Sequence, residues 1–120
     1  MKFESDLGSY EIIKDDANKK VTILLSGYLR ESDFPNFLKD YEELKNEINI
    51  KETTLILDAR KMNVFAPTLQ YKLVDLYKDY TNFKQVIVKS TDLPAVILQL
   101  KRMLNSADLL DNFTFESSEK

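Results

Sequence analysis

The sequence predicts one α/β domain: a mainly parallel sheet, opened by an antiparallel hairpin and overlaid by helices. Three observations carry this. Apolar runs of strand length recur at Val21–Leu25, Thr53–Leu57 and Gln85–Val88. Stretches with helical spacing separate these runs, so consecutive strands need crossovers and lie parallel. Only the alternating segment Ser9–Lys14 is close enough to Val21–Leu25 to pair as a hairpin, across the turn chemistry of Asp15-Asp16-Ala17-Asn18. With 120 residues, 43% of them hydrophobic, the chain can bury one core but not two ordinary ones. Residues 1–116 are therefore read as a single domain, and residues 117–120 as a tail that frays.

Each element has its own signal. Val21-Thr22-Ile23-Leu24-Leu25 is β-branched and apolar, and Gly27 stops it. Phe34, Phe37, Leu38, Tyr41, Leu44 and Ile48 then recur at helical spacing, with Asp33 as the candidate cap and Pro35 in the first turn. Lys39, Glu42, Glu43, Asn46 and Glu47 give that helix a solvated outer face. The Thr53–Asp58 strand is followed by a helix expected from Pro67 to Asn82, burying Leu69, Leu73, Leu76 or Tyr77, and Tyr80. Gln85–Val88 reads as an interior strand. A third helix is expected from Leu93 to Asn105, capped by Asp92, with an apolar set wider than one buried stripe requires, which fits either a deeply seated helix or one that turns Ile97 or Leu98 toward a partner. Phe113-Thr114-Phe115 supplies a short edge strand.

The three apolar runs are expected to be neighbouring interior strands, because continuous apolar character calls for cover on both faces. The chain carries no cysteine and no histidine. That removes disulfides, thiol chemistry and any Ser-His-Asp or Cys-His arrangement, and leaves only carboxylates for zinc. Two glycines, Gly8 and Gly27, cannot build a phosphate-cradling loop. Asp15-Asp16, Glu42-Glu43 and Asp108 with Asp111 read as a turn, a helix face and a loop. No catalytic activity, metal or cofactor is expected. A net charge of −3 gives no general attraction to nucleic acid or anionic membrane. No apolar run is long enough to cross a membrane, and Met1–Asp6 lacks the apolar core of a signal peptide, so a cytoplasmic protein is expected.

The junction from Thr53 to Leu73 is the most informative stretch. A strand ends on Asp58, and a loop then leads to Pro67-Thr68 at a helix start. Free backbone N–H groups there favour a phosphate on Thr68 or a bound anion, whereas Pro67 and Thr68 also fit as ordinary helix-start residues. The aromatic residues belong mostly to buried faces. Tyr28 and Phe65 lie beyond strand ends, where they either flank a docking surface or fold back as lids on the core.

The element order resembles that of the STAS family of bacterial anti-sigma-factor antagonists, stressosome proteins and the cytoplasmic ends of sulfate transporters. The likeness runs from Tyr10 to Phe115. It includes the strand ending in Ser26-Gly27-Tyr28-Leu29, then Leu55-Ile56-Leu57-Asp58, a loop into a helix, and Val86-Ile87-Val88. Family members usually carry an Asp-Ser-Ser-Gly-like stretch whose Ser or Thr a partner kinase phosphorylates. Here Ala66-Pro67-Thr68-Leu69 stands in that place, without the preceding acid or the following glycine. The resemblance implies a single STAS-like domain and a regulatory partner, an anti-sigma factor or kinase. It implies docking around Tyr28, Asp58, Phe65, Ala66, Pro67 and Thr68, with Thr68 as the phosphorylation candidate. The alternative is a small-molecule, anion or lipid site that uses the same helix start against the apolar side of the third helix. In the first case Thr68→Glu is expected to weaken partner binding with the fold intact, and Thr68→Ala to bind nearly as wild type. The oligomeric state is left open.

Overall fold

The strands lie in a single sheet in the order in which they occur along the chain. They are β1 (Lys2–Glu4), β2 (Gly8–Asp15), β3 (Lys20–Gly27), β4 (Thr54–Met62), β5 (Gln85–Lys89) and β6 (Thr114–Glu116), and the helices are α1 (Phe34–Lys45), α2 (Gln70–Tyr80) and α3 (Pro94–Ser106). This computed structural model describes residues 2–5, 7–28, 30–63, 67–89 and 94–116, without the side chains of Pro67 and Pro94. The pairs β1–β2 and β2–β3 are antiparallel, and β3–β4, β4–β5 and β5–β6 are parallel. The expected α/β architecture is therefore present, with the hairpin at the beginning of the sheet.

The three apolar runs are neighbouring interior strands, as expected, but the reason differs. From β3 to β6 the chain always steps to the next position in the same direction. Right-handed crossovers in one direction place every helix on one face of the sheet. Val21, Ile23, Leu55, Leu57, Val86 and Val88 are accordingly buried beneath the helices, whereas Thr22, Leu24, Ile56 and Ile87, on the other face, are only partly buried. Continuous apolar runs here serve one covered face and one uncovered face.

The covered face is organised by aromatic rings. Phe3, Tyr10, Phe37, Tyr41, Tyr80, Tyr77 and Phe113 touch in succession, with centroids 5.0 to 6.2 Å apart, linking β1 through α1 and α2 to the start of β6. Two of their hydroxyls reach helix carboxylates: Tyr10 donates to Asp40 and Tyr41 to Asp79, each at 2.7 Å. Burial and those carboxylates push both phenols well above their ordinary titration range. Stacked and edge-on pairs add to the apolar burial, so the aromatic content is explained by packing.

Several boundaries move from their expected places. The charged tripeptide Lys2-Phe3-Glu4 forms β1, with Phe3 stacked on Tyr10 at 5.2 Å. Strand β4 does not end at Asp58 but continues to Met62, through a register shift opposite Leu24–Ser26. The helix expected from Pro67 begins as a 3-10 turn over Pro67–Leu69 and becomes α-helical at Gln70. Asp33 does not cap α1 by a side-chain hydrogen bond; its buried carboxylate instead accepts from the Arg30 backbone N–H at 3.1 Å. Ile48 lies beyond the end of α1, half-buried. Leu29, Asp92, Leu93 and the 117–120 tail lie outside the described residues.

Candidate functional site

The ends of β3 and β4 lead into two short 3-10 turns, Glu31–Asp33 before α1 and Pro67–Leu69 before α2. These turns bring together residues distant in sequence. Thr68 is exposed, and its hydroxyl donates to the Glu31 carboxylate. Lys72, one helical turn beyond Thr68, closes on the same carboxylate at 3.0 Å. Lys72 first, and then the Thr68 hydroxyl, hold the Glu31 carboxyl below its ordinary range. Beside this cluster Tyr71 stands 82% exposed, the most exposed of the large hydrophobic residues described. Leu69 and Leu73 turn inward from the same turn and are buried, which fixes the orientation of Thr68, Tyr71 and Lys72.

Glu31, Lys72 and Tyr71 were not among the residues expected from the sequence. Tyr71 had a readable signal: with Leu69, Leu73, Leu76, Tyr77 and Tyr80 forming the inner stripe, an aromatic at position 71 falls on the opposite side. The Glu31–Lys72 pair had none, because only the fold brings the entries to α1 and α2 together.

The expected docking residues do not form one patch. Asp58 points to the uncovered face of the sheet, away from Thr68. Its neighbours in the register are Leu24 and Lys89. It is 6% exposed and grips Arg60 at 2.7 and 2.9 Å, and the Arg60 backbone N–H also donates to it. Arg60, aided by Lys89, holds the Asp58 carboxyl below its ordinary range against the opposing effect of burial. Tyr28 is half-buried and its backbone N–H donates to Leu7 at 2.9 Å, tying it to the β1–β2 turn. Phe65 and Ala66 lie outside the described residues, and only the backbone of Pro67 is described.

Under the two helix entries lies an apolar cleft lined by Leu25, Phe34, Met62, Leu69, Leu73 and Tyr77, with Arg30 and Asn63 also contributing. Its free volume is about 50 Å³, well below the roughly 300–1,000 Å³ of most small-molecule pockets. The apolar side of α3 does not open onto it: Val96, Leu100, Met103 and Leu104 are buried in the core, while Leu98 is 51% exposed on the outside. Among the described residues, no helix is long and apolar enough to cross a membrane.

No family model matches the chain, and no curated protein is similar to it in sequence. It is similar in structure to the crystal structure of an uncharacterized protein of the DUF3478 family with a SpoIIAA-like fold, from Shewanella loihica PV-4. That likeness has a TM-score of 0.66 at 16% identity, covering 98% of this chain and 92% of the other. The fold is thus SpoIIAA-like, that is, STAS-like, in agreement with the element order read from the sequence.

Proposed function

We propose that the chain is a non-catalytic regulatory module of the anti-sigma-factor-antagonist type, docking a protein partner in the bacterial cytoplasm through the surface around Thr68. The observation that carries this reading is the Thr68–Glu31–Lys72 cluster beside the exposed Tyr71. An exposed aromatic next to a modifiable hydroxyl is suited to an interface that a charge can disrupt, since tyrosine contributes strongly where it is desolvated by a partner. In the unmodified protein Glu31 is neutralised by Lys72. A phosphate on Thr68 would add close to two negative charges and draw Lys72 from Glu31, leaving acidic groups beside Tyr71. A partner seated on Tyr71 would be repelled without any need to unfold the domain. The ligand-binding alternative draws less support, because the free volume under the helix entries falls short of an acyl chain.

Capture of partners from the native cell tests the reading. Wild type and Thr68→Ala are expected to retain the same protein, and Thr68→Glu and Tyr71→Ala to lose it while keeping the wild-type circular dichroism. Equal capture by all four proteins would remove the docking role from this surface.

A further inference from the structure

The face of the sheet away from the helices has an ordered charge pattern. Directly paired residues of neighbouring strands point to the same face, so the register sorts their side chains into rows across the sheet. One row reads Ile13, Thr22, Ile56, Ile87, Thr114 and contains no charge; Ile13 is 43% exposed. The next row reads Lys2, Glu11, Leu24, Asp58, Lys89, Glu116 from β1 to β6. Asp58 is neutralised by Arg60 at 2.7 Å. The row therefore presents positive, negative, two uncharged positions, positive, negative. Lys2 has only a loose contact of 3.9 Å with Glu4.

Reversing that row end for end inverts every charge in it. A two-fold axis parallel to the strands, between β3 and β4, performs this reversal on a second copy laid face to face. It exchanges β1 with β6, β2 with β5 and β3 with β4 while keeping each row in place. Lys2 then meets Glu116 of the second copy and Glu11 meets its Lys89. In the uncharged row Ile13 meets Ile87 and Thr22 meets Ile56. The other in-plane two-fold, along the uncharged row, would set Glu11 against Asp15 and Leu24 against Lys20, which is unfavourable. We infer that this uncovered sheet face is the isologous interface of a two-fold dimer, with the uncharged row of isoleucines and threonines in its middle and the four outer charges of the next row paired in opposite sign across it.

Other features of the face agree with that occupant. Both edge strands are three residues long, and each carries charge (Lys2 and Glu4 on β1, Glu116 on β6), so edge-to-edge extension of the sheet is disfavoured and face-to-face packing remains. Strands spaced about 4.8 Å apart make the face roughly 500–600 Å² in projection, of the order of the ~800 Å² that each partner brings to a standard interface. Two aligned sheets, about 10 Å apart, are a common packing. The Thr68 surface, on the helix side, stays free in this arrangement, so the inference stands independently of the proposed function.

Light scattering and sedimentation across a concentration series test it, with circular dichroism confirming that each variant is folded. The wild type is expected to be a concentration-dependent dimer. Glu11→Lys and Lys89→Glu, each acting twice by symmetry, are expected to weaken it by about tenfold or more. The combined Glu11→Lys/Lys89→Glu chain restores the opposite-charge pairing and is expected to dimerise nearly as wild type does. A wild type that is monomeric at every concentration overturns the inference, as does a monomer carrying another molecule on this face. So does a double variant that gains nothing over the singles, or a dimer broken by Leu98→Asp on the helix side instead.

Discussion

The adjacent residues Ile12 and Ile13 lie on one strand but face opposite sides of the sheet, 5% and 43% exposed respectively. The first belongs to the aromatic and aliphatic layer between sheet and helices; the second belongs to a row that only a further molecule would bury. The same side chain therefore serves stability on one face and is free for recognition on the other. What separates the two roles is the direction in which the crossovers wind.

Replacing each isoleucine in turn is the strongest way to break this comparison. Ile12→Ala is expected to cost about 2–4 kcal/mol, by lost burial and an uncollapsed cavity. Denaturant unfolding measures it. Gly27→Ala follows, at about 2 kcal/mol, for a reason that belongs to the backbone and not to either face. Gly27 has φ 71°, and an added Cβ would stand 2.4 Å from the Leu7 carbonyl oxygen. A melting temperature that does not fall would show that the β1–β2 turn has moved aside.

The ion pair on the uncovered face gives a smaller effect with a definite pH signature. Because its folded-state titration is depressed, Asp58 contributes stability that is fully present above the unfolded value near 4. That contribution is lost as pH falls through the lower folded value. Asp58→Asn is expected to cost about 1 kcal/mol at neutral pH, discounted because Arg60 is half exposed, and to flatten the acid limb of the stability curve. An unchanged acid limb would assign that pH dependence to other carboxylates. Ile13→Ala closes the series, with an expected change of at most about 0.5 kcal/mol, measured at concentrations low enough to keep the chain monomeric.

Much of the fold was legible because local and global preferences agree. The hairpin turn was readable from Asp15 and Asn18, whose backbone N–H donates to the Asp15 carboxylate at 3.2 Å. The run Val21–Leu25 announced an interior strand, but strand order is a property of the whole chain, so the run could not reveal that Leu24 lies on an uncovered face. Lys2-Phe3-Glu4 carries too little strand signal to be noticed until β2 pairs with it. Asp58 read as the end of a strand, although an uncovered face tolerates charge in mid-strand and β4 runs on through Arg60 and Lys61. At the candidate site Thr68 was visible as a helix-start hydroxyl. Its partners Glu31 and Lys72 were hidden because the contact is made by the packing of two turns.

The most direct test of the regulatory reading is the affinity of the captured partner for the unmodified protein and for protein phosphorylated stoichiometrically at Thr68, measured alongside thermal melts of both. A loss of about tenfold or more in affinity, equivalent to about 1.4 kcal/mol, with melting temperatures that agree, is the expected result. Equal affinities for the two forms would contradict the account and return Thr68 to the role of an ordinary residue at the start of a helix.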